Sequence, residues 1–244
     1  MECHYRKCAI TVYTYPAYHA PDGRALVDFV AATPFAVAVT SQTGAPIGTH
    51  VPVVFPPDLN PADHESLVGQ TLWLHLGRAN PHWKRMLERP EVLLIHSSSH
   101  GYVSPTLYER PKSVPTVDYT AVHLTGRVTM FDDEDALLVV EQTVRQLEAT
   151  RKHEWDMSDS RDVFRAIIGG VVAFGIEITA EQAVFKLSQD MPGDIRKRVR
   201  DEFAGQGGEP LPGCPHADLA KLMDSLPLSC LLYTSDAADD SLRV

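Results

Sequence analysis

The side chains best suited to chemistry in this chain fall in three short stretches. Gly101-Tyr-Val-Ser-Pro-Thr-Leu-Tyr108 and Val114-Pro-Thr-Val-Asp-Tyr119 gather hydroxyls, rigid prolines and the tyrosines Tyr102, Tyr108 and Tyr119. Further on, Lys186-Leu-Ser-Gln189 sets a cation, a hydroxyl and an amide close together. A binding site needs few such groups, convergent over apolar walls. This set suits a phosphorylated planar ligand, with Lys and Arg for phosphate, the amide for ring carbonyls and tyrosines for stacking. Other chemistries lack their patterns. The sequence has no Gly-x-Gly-x-x-Gly fingerprint, no phosphate loop ending in Lys-Ser/Thr, no His-x-x-x-His pair on a helix and no Gly-x-Ser-x-Gly elbow. Ser97-Ser-Ser-His100 has nothing to place a base or an oxyanion hole beside it. His50, His75, His96, His100 and His123 each lie in or beside a strand-like run and read as structural or surface histidines. No catalytic constellation emerges. Cys214-Pro-His216 in a Gly/Pro-rich loop is a poor metal pair.

Charge narrows the partners. The chain carries a formal −10 over 244 residues. Nucleic-acid affinity comes largely from phosphate neutralisation, which asks for a basic surface. The basic concentration Arg196, Lys197, Arg198 and Arg200 reads as a solvated helix face, and no helix-turn-helix or zinc-finger spacing is present. No run approaches the ~20 apolar residues of a membrane helix, and the start lacks a signal-peptide pattern, so the expectation is a cytoplasmic protein.

The elements that must position these residues follow from pattern. A helix is predicted over residues 22–33, capped by Asp22 and stopped by Pro34. Short strands are predicted at 35–40, 50–55, 72–76, 91–96, 101–103 and 122–131. A helix at 79–88 has Asn80 at its cap and Pro81 at its first position. Leu137, Val140, Val144 and Leu147 at helical spacing mark a helix over 133–150. A further helix is predicted at 159–168 with Asp159 as its cap, then strands at 171–178 and 184–187 and a helix at 192–203. A linker over 205–215 leads to a short helix at 217–226. Many short strands with few helices between them indicate an α+β protein built on an antiparallel barrel.

Both ends read as foreign. Cys230-Leu-Leu-Tyr-Thr-Ser-Asp-Ala-Ala-Asp239 resembles a translated sequencing adaptor, so 230–244 is expected to be non-native. Without it the formal charge moves from −10 to −8. Residues 1–11 lack periodicity and read as an upstream extension, with Val12 as an alternative start. Of Cys3, Cys8, Cys214 and Cys230, only Cys214 then remains, consistent with a reducing compartment. The expected organisation is a domain over 12–204 with a helical insertion, followed by a linker and short helix over 205–229.

The landmarks Tyr13-Thr-x-Pro16, Phe35-Ala-x-x-Val39, Thr49-His-x-Pro52, His75-x-x-Arg-Ala-Asn-Pro-x-Trp83, Tyr102-Val-Ser-Pro105, Val114-Pro-Thr-x-x-Tyr119, Ala121-Val-His-x-x-Gly126 and Lys186-Leu-Ser-Gln189 follow in order within a match over about 13–203. Together they resemble the PaiB family, FMN-binding negative transcriptional regulators. The resemblance implies a split barrel with FMN at a homodimer interface. It places FMN against the strand of His50, with Arg78, Ser104, Thr116, Tyr119, Lys186 and Gln189 nearby, and Arg78 and Lys186 at the phosphate. This chain departs from the family pattern at Leu107 and Val117, where tryptophan is usual, and at Asp118 and Asp190, where asparagine is usual. The functional expectation is a PaiB-type regulator, with any action on DNA indirect. The alternatives are an FMN-dependent oxidoreductase of the split-barrel superfamily and a flavin-free binding module.

Overall fold

The computed structural model describes residues 12–13, 15–153 and 155–203. The linker and helix expected over 205–226 and both suspect ends, 1–11 and 230–244, lie outside these residues. Six antiparallel strands close into a barrel in the order β1-β2-β3-β6-β5-β4. They are β1 (Phe35–Thr40), β2 (Ile47–Val54), β3 (Thr71–Gly77), β4 (Glu91–Val103), β5 (Thr116–Met130) and β6 (Val171–Lys186). The α+β split-barrel reading therefore holds.

Alternation decides which side chains fill the barrel. On β1 the small Ala36, Ala38 and Thr40 point inward, while Phe35 is 63% exposed. On β3, Leu72, Leu74 and Leu76 point inward. Phe174, Ile176 and Ile178 of β6 meet Val122, Leu124 and Val128 of β5 in the same core. Helix α1 (Gly23–Ala32) adds Leu26, Val27 and Val30, and α2 (His82–Glu88) adds Met86. Asp22 caps α1 as expected, accepting from the Ala25 amide at 2.7 Å. Helix α3 (Asp133–Glu148) covers the outer face of β3 and β6, where Ala136 and Val139 pack on Trp73 and Ala173.

Several boundaries differ from the sequence reading, each for a local reason. The strands expected at 91–96 and 101–103 are one strand, β4, which crosses the polar Ser97–His100 run through an irregularity in its pairing with β5. Because Val103 pairs with Thr116, β5 starts before the expected Val122. The strands expected at 171–178 and 184–187 are likewise continuous as β6. Thr125 pairs with Ala180 and Gly126 with Ile178, so Thr179 is the extra residue of a bulge, its hydroxyl donating to the Thr125 carbonyl at 3.1 Å. Helix α2 begins at His82, with Pro81 in the cap position; Asn80 accepts from the His82 amide at 3.0 Å. Asp159 does not cap α4 (Arg161–Ile167): it sits inside a 3-10 turn, Ser158–Ser160, and Asp156 accepts from the Ser158 amide at 2.9 Å instead. Helix α5 (Gly193–Phe203) closes the described chain.

Candidate functional site

The seven residues expected around FMN fall into two groups within one chain. The first centres on β2 and the start of α2. His50 projects outward from β2, exposed, and stacks on Phe35 with ring centroids 5.8 Å apart and planes 23° apart. The neighbouring Thr49 points the other way, into a polar corner. Its hydroxyl accepts from Asn80 Nδ2 at 3.2 Å and lies 2.7 Å from His82 Nδ1. His82 Nε2 is 2.8 Å from the Thr40 hydroxyl, so one buried ring bridges β1 and β2. Burial pushes the His82 pKa down. A neutral imidazole donates through one nitrogen and accepts through the other, which suits two hydroxyl partners. Two residues further along α2, exposed Lys84 lies 5.5 Å from the Trp83 ring centroid. It has no acidic partner among the described residues.

Arg78 opens this corner but is committed elsewhere. Its guanidinium donates to the carbonyls of Gly169 at 2.6 Å and Val171 at 2.9 Å, and to Asp133 at 3.2 Å. Its backbone N–H donates to Gly170 and its carbonyl accepts from the Trp83 indole. In this arrangement Arg78 ties the entry of β6 to the end of β3 and to α3.

The second group sits where β4, β5 and β6 extend past the barrel ring. Tyr119 pairs with Lys186, and Val103 with Thr116, which brings Ser104 alongside. Lys186 Nζ donates to the Thr116 hydroxyl and to the Val117 carbonyl, and lies 5.8 Å from the Tyr18 ring centroid and 3.9 Å from Asp118 Oδ1. Gln189 folds back on its own turn, donating to the Phe185 carbonyl and accepting from the Leu187 amide at 2.7 Å. Ser104 caps the 3-10 turn Pro105–Tyr108 and accepts from the Thr106 hydroxyl at 2.8 Å. Tyr18 donates to Asp190 at 2.9 Å, and burial followed by that bond pushes its phenol up to about 12. Asp118 is buried; burial raises its pKa, against the Ser188 hydroxyl and Lys186, which lower it.

Thr116, Tyr119, Lys186, Gln189 and Ser104 are thus brought together, whereas His50 and Arg78 stand apart from them. His50 is level with Val37, Ile95 and His123 across the sheet. Tyr119 is four residues beyond His123 on β5, about 13 Å along the strand, and further round the barrel. Sequence reasoning missed Thr49, His82 and Lys84 as a polar corner. The signal was present, since Thr49 adjoins His50 and Asn80 was already assigned to a helix cap.

The chemistry of the first group is of a kind a flavin phosphate could use: the Thr49 hydroxyl and Asn80 amide adjoin the exposed Phe35–His50 stack, and exposed Lys84 on α2 has no acidic partner among the described residues. The family model described as "Putative FMN-binding domain" matches residues 12–180. The Bacillus subtilis protein named protease synthase and sporulation protein PAI 2 is 31% identical over 168 residues, covering 67% of this chain and 75% of the relative. A protein of Aspergillus fumigatus is 25% identical over 201 residues, covering 66% of this chain and 77% of the relative. Among solved structures, the FAD and heme binding protein of Mycobacterium smegmatis has a TM-score of 0.51 at 14% identity, over 79% of this chain and 81% of that one. At that identity the likeness speaks to the fold. The chain belongs to the PaiB family of FMN-binding split-barrel proteins, and FMN is its cofactor.

Proposed function

We propose that this chain is a homodimeric FMN-binding regulator of the PaiB type that acts on transcription indirectly. FMN lies on the outer face of β1 and β2 beside Phe35 and His50, with its phosphate at the corner of Thr49, Asn80 and Lys84. The observation that carries this is Lys84, an exposed cation with no acidic partner among the described residues, on the helix whose start holds the hydroxyl and amide cluster of Thr49 and Asn80. A phosphate dianion needs such a charge-assisted partner, while Arg78 and Lys186 already serve the chain's own carbonyls and acids. Bound FMN supplies one- and two-electron redox chemistry through its ring.

The second group, with Ser104, Thr116, Tyr119, Lys186 and Gln189, reaches the flavin from the other protomer. Its separation from His50 within one chain supports a site shared between two copies. So do the outward-facing Leu93, Ile95, Val37 and Ala121, which line the barrel face between the two groups and are only partly exposed or buried. Indirect action is supported by the basic run on α5, where Lys197 and Arg200 pair with Asp201, and Arg198 with Asp194 and Glu109. That leaves little positive field for phosphates.

Flavin fluorescence titrations of wild type, Lys84→Ala and His50→Ala test the site. Loss of a charge-assisted phosphate bond in Lys84→Ala weakens FMN binding by about 1.5–3 kcal/mol. Equal affinity in wild type and Lys84→Ala would move the phosphate elsewhere. A gel shift with promoter DNA that survives physiological salt and discriminates against unrelated DNA would overturn indirect action.

A further inference from the structure

Helix α5 packs on Val103 of β4 and on Tyr108, and a cleft of about 500 Å³ opens between it, Asp118 and Leu187. That volume is in the range of small-molecule sites. Its apolar wall is Leu187, Val199 and Phe203. The Phe203 ring lies against the backbone of Gly101, so close that a Cβ there would come within 2.4 Å of it. This contact holds the ring as a flat wall, a surface on which another ring can stack.

Two polar groups in the same cleft are not fully satisfied among the described residues. Asp118 is 3% exposed, and its Oδ2 accepts from the Ser188 hydroxyl at 2.6 Å. Its Oδ1 is buried with no hydrogen-bond donor. Lys186 Nζ stands 3.9 Å away and spends its protons on Thr116 and the Val117 carbonyl. A buried acceptor without a donor carries the full cost of its lost hydration. Across the cleft, Arg196 is exposed and has no ion pair among the described residues, whereas its neighbours Lys197 and Arg200 are held by Asp201. The tyrosine hydroxyl of Tyr108, buried in the cluster with Ile195 and Val199, is a further polar atom without a partner among the described residues.

We propose that this cleft binds a small aromatic acid that carries a hydrogen-bond donor. Its ring lies on Leu187, Val199 and Phe203, its carboxylate meets Arg196, and its N–H or O–H donates to Asp118 Oδ1. Of the three cations that line the cleft, Arg196 has no ion pair among the described residues, and it matches one carboxylate. A phosphate dianion would face the Asp118 carboxylate with too little compensation. An ammonium donor would meet the field of Lys186 next to Asp118, so a neutral N–H or O–H is the better partner. None of these contacts uses His50, Thr49, Asn80 or Lys84.

The test is calorimetric titration of the full chain, saturated with FMN, using indole-3-acetate and naphthalene-1-acetate. The two acids have nearly the same shape, and only the first has an N–H. A site built to hydrogen-bond a donor rejects the analogue that lacks it, so indole-3-acetate is expected to bind at least about tenfold more tightly. Arg196→Ala should weaken it about tenfold. Gly193→Phe should abolish binding by filling the cleft: Gly193 lines it, and a Cβ there meets nothing within 4 Å; an unchanged urea midpoint checks that the variant folds. Flavin fluorescence of the same variants should show unchanged FMN affinity, which separates failure of this proposal from failure of the flavin site. No heat with either acid, equal affinity for both, or unchanged binding in Gly193→Phe would overturn it.

Discussion

Acidification should destabilise this barrel through His96, and the effect can be worked out from its surroundings. His96 points into the barrel from β4 and is fully buried. Its Nδ1 lies 2.8 Å from the Thr33 carbonyl, so that nitrogen carries the proton and donates. Its Nε2 is buried without a partner among the described residues, and protonating it would place a charge in an apolar interior. Burial pushes the pKa from the ordinary 6.5 down to about 4, against a smaller upward pull from the Thr33 bond. The folded state therefore holds its proton more weakly than the unfolded chain. Above 6.5 both states are neutral and the fold is at full strength with respect to this group. As pH falls from 6.5 towards about 4, the unfolded chain takes up a proton that the folded chain refuses. A gap from 6.5 to about 4, at ~1.4 kcal/mol per unit, corresponds to a loss of about 3 kcal/mol. The assay is urea unfolding at a series of pH values for wild type and His96→Gln. Glutamine keeps an N–H for the Thr33 carbonyl and does not titrate. Burial also lowers the pKa of His75 and His82, but they act equally in both proteins and cancel in the difference. Wild type should lose about 3 kcal/mol more than the variant on going from neutral pH to about pH 4. Parallel stability curves would refute the reasoning.

Other expectations are as concrete. Lys186→Ala removes the donor to Thr116 and the Val117 carbonyl and the counter-charge of buried Asp118, so urea unfolding should show a loss of about 2–3 kcal/mol; an unchanged midpoint would mean that water replaces the ammonium. Arg78→Ala should cost about 1–2 kcal/mol by freeing the Gly169 and Val171 carbonyls, read by the same method, and FMN affinity should stay within about twofold because Arg78 faces those carbonyls. Light scattering at micromolar concentration should report a dimer, and a monomer that still binds FMN would overturn the shared site.

Most of the architecture was legible in the sequence because alternation and capping are local. Phe35–Thr40 reads directly as a half-buried strand, and Asp22 caps α1 from a position fixed by its own neighbours. The continuity of β4 and β6 was not legible. Ser97-Ser-Ser-His-Gly101 has turn composition, and only its pairing with β5, distant in sequence, makes it strand. The same holds for Thr179, whose bulge is a property of two strands together. Among candidate site residues, the grouping of Thr116, Tyr119 and Lys186 follows from register, whereas composition could only put them in one inventory with Arg78 and His50. What a cation is bound to cannot be read from its type. Lys84 and Lys186 look alike in sequence, yet one has no acidic partner among the described residues and the other is enclosed by its own chain.

The order of the barrel strands also bears on how fast the chain can reach this structure. Closure joins β3 to β6, and the pair Leu74 and Phe174 are one hundred residues apart. The loop they close contains α2, β4, β5, α3 and α4. The hairpin pairs β1–β2 and β4–β5 can form early, because each closes a short loop. The β3–β6 ladder rewards the chain only after the entropy of the long loop has been spent. Until then the outer edges of β3 and β6 are unpaired, and Trp73 and Ala173 lack the cover of α3. Refolding should therefore show a slow phase in which Trp73 fluorescence changes last, and a concentration-dependent loss to aggregation during that phase. Shortening the α3–α4 insertion would shorten the loop only logarithmically, so it would do little for the rate, while removing the cover that protects the closed seam.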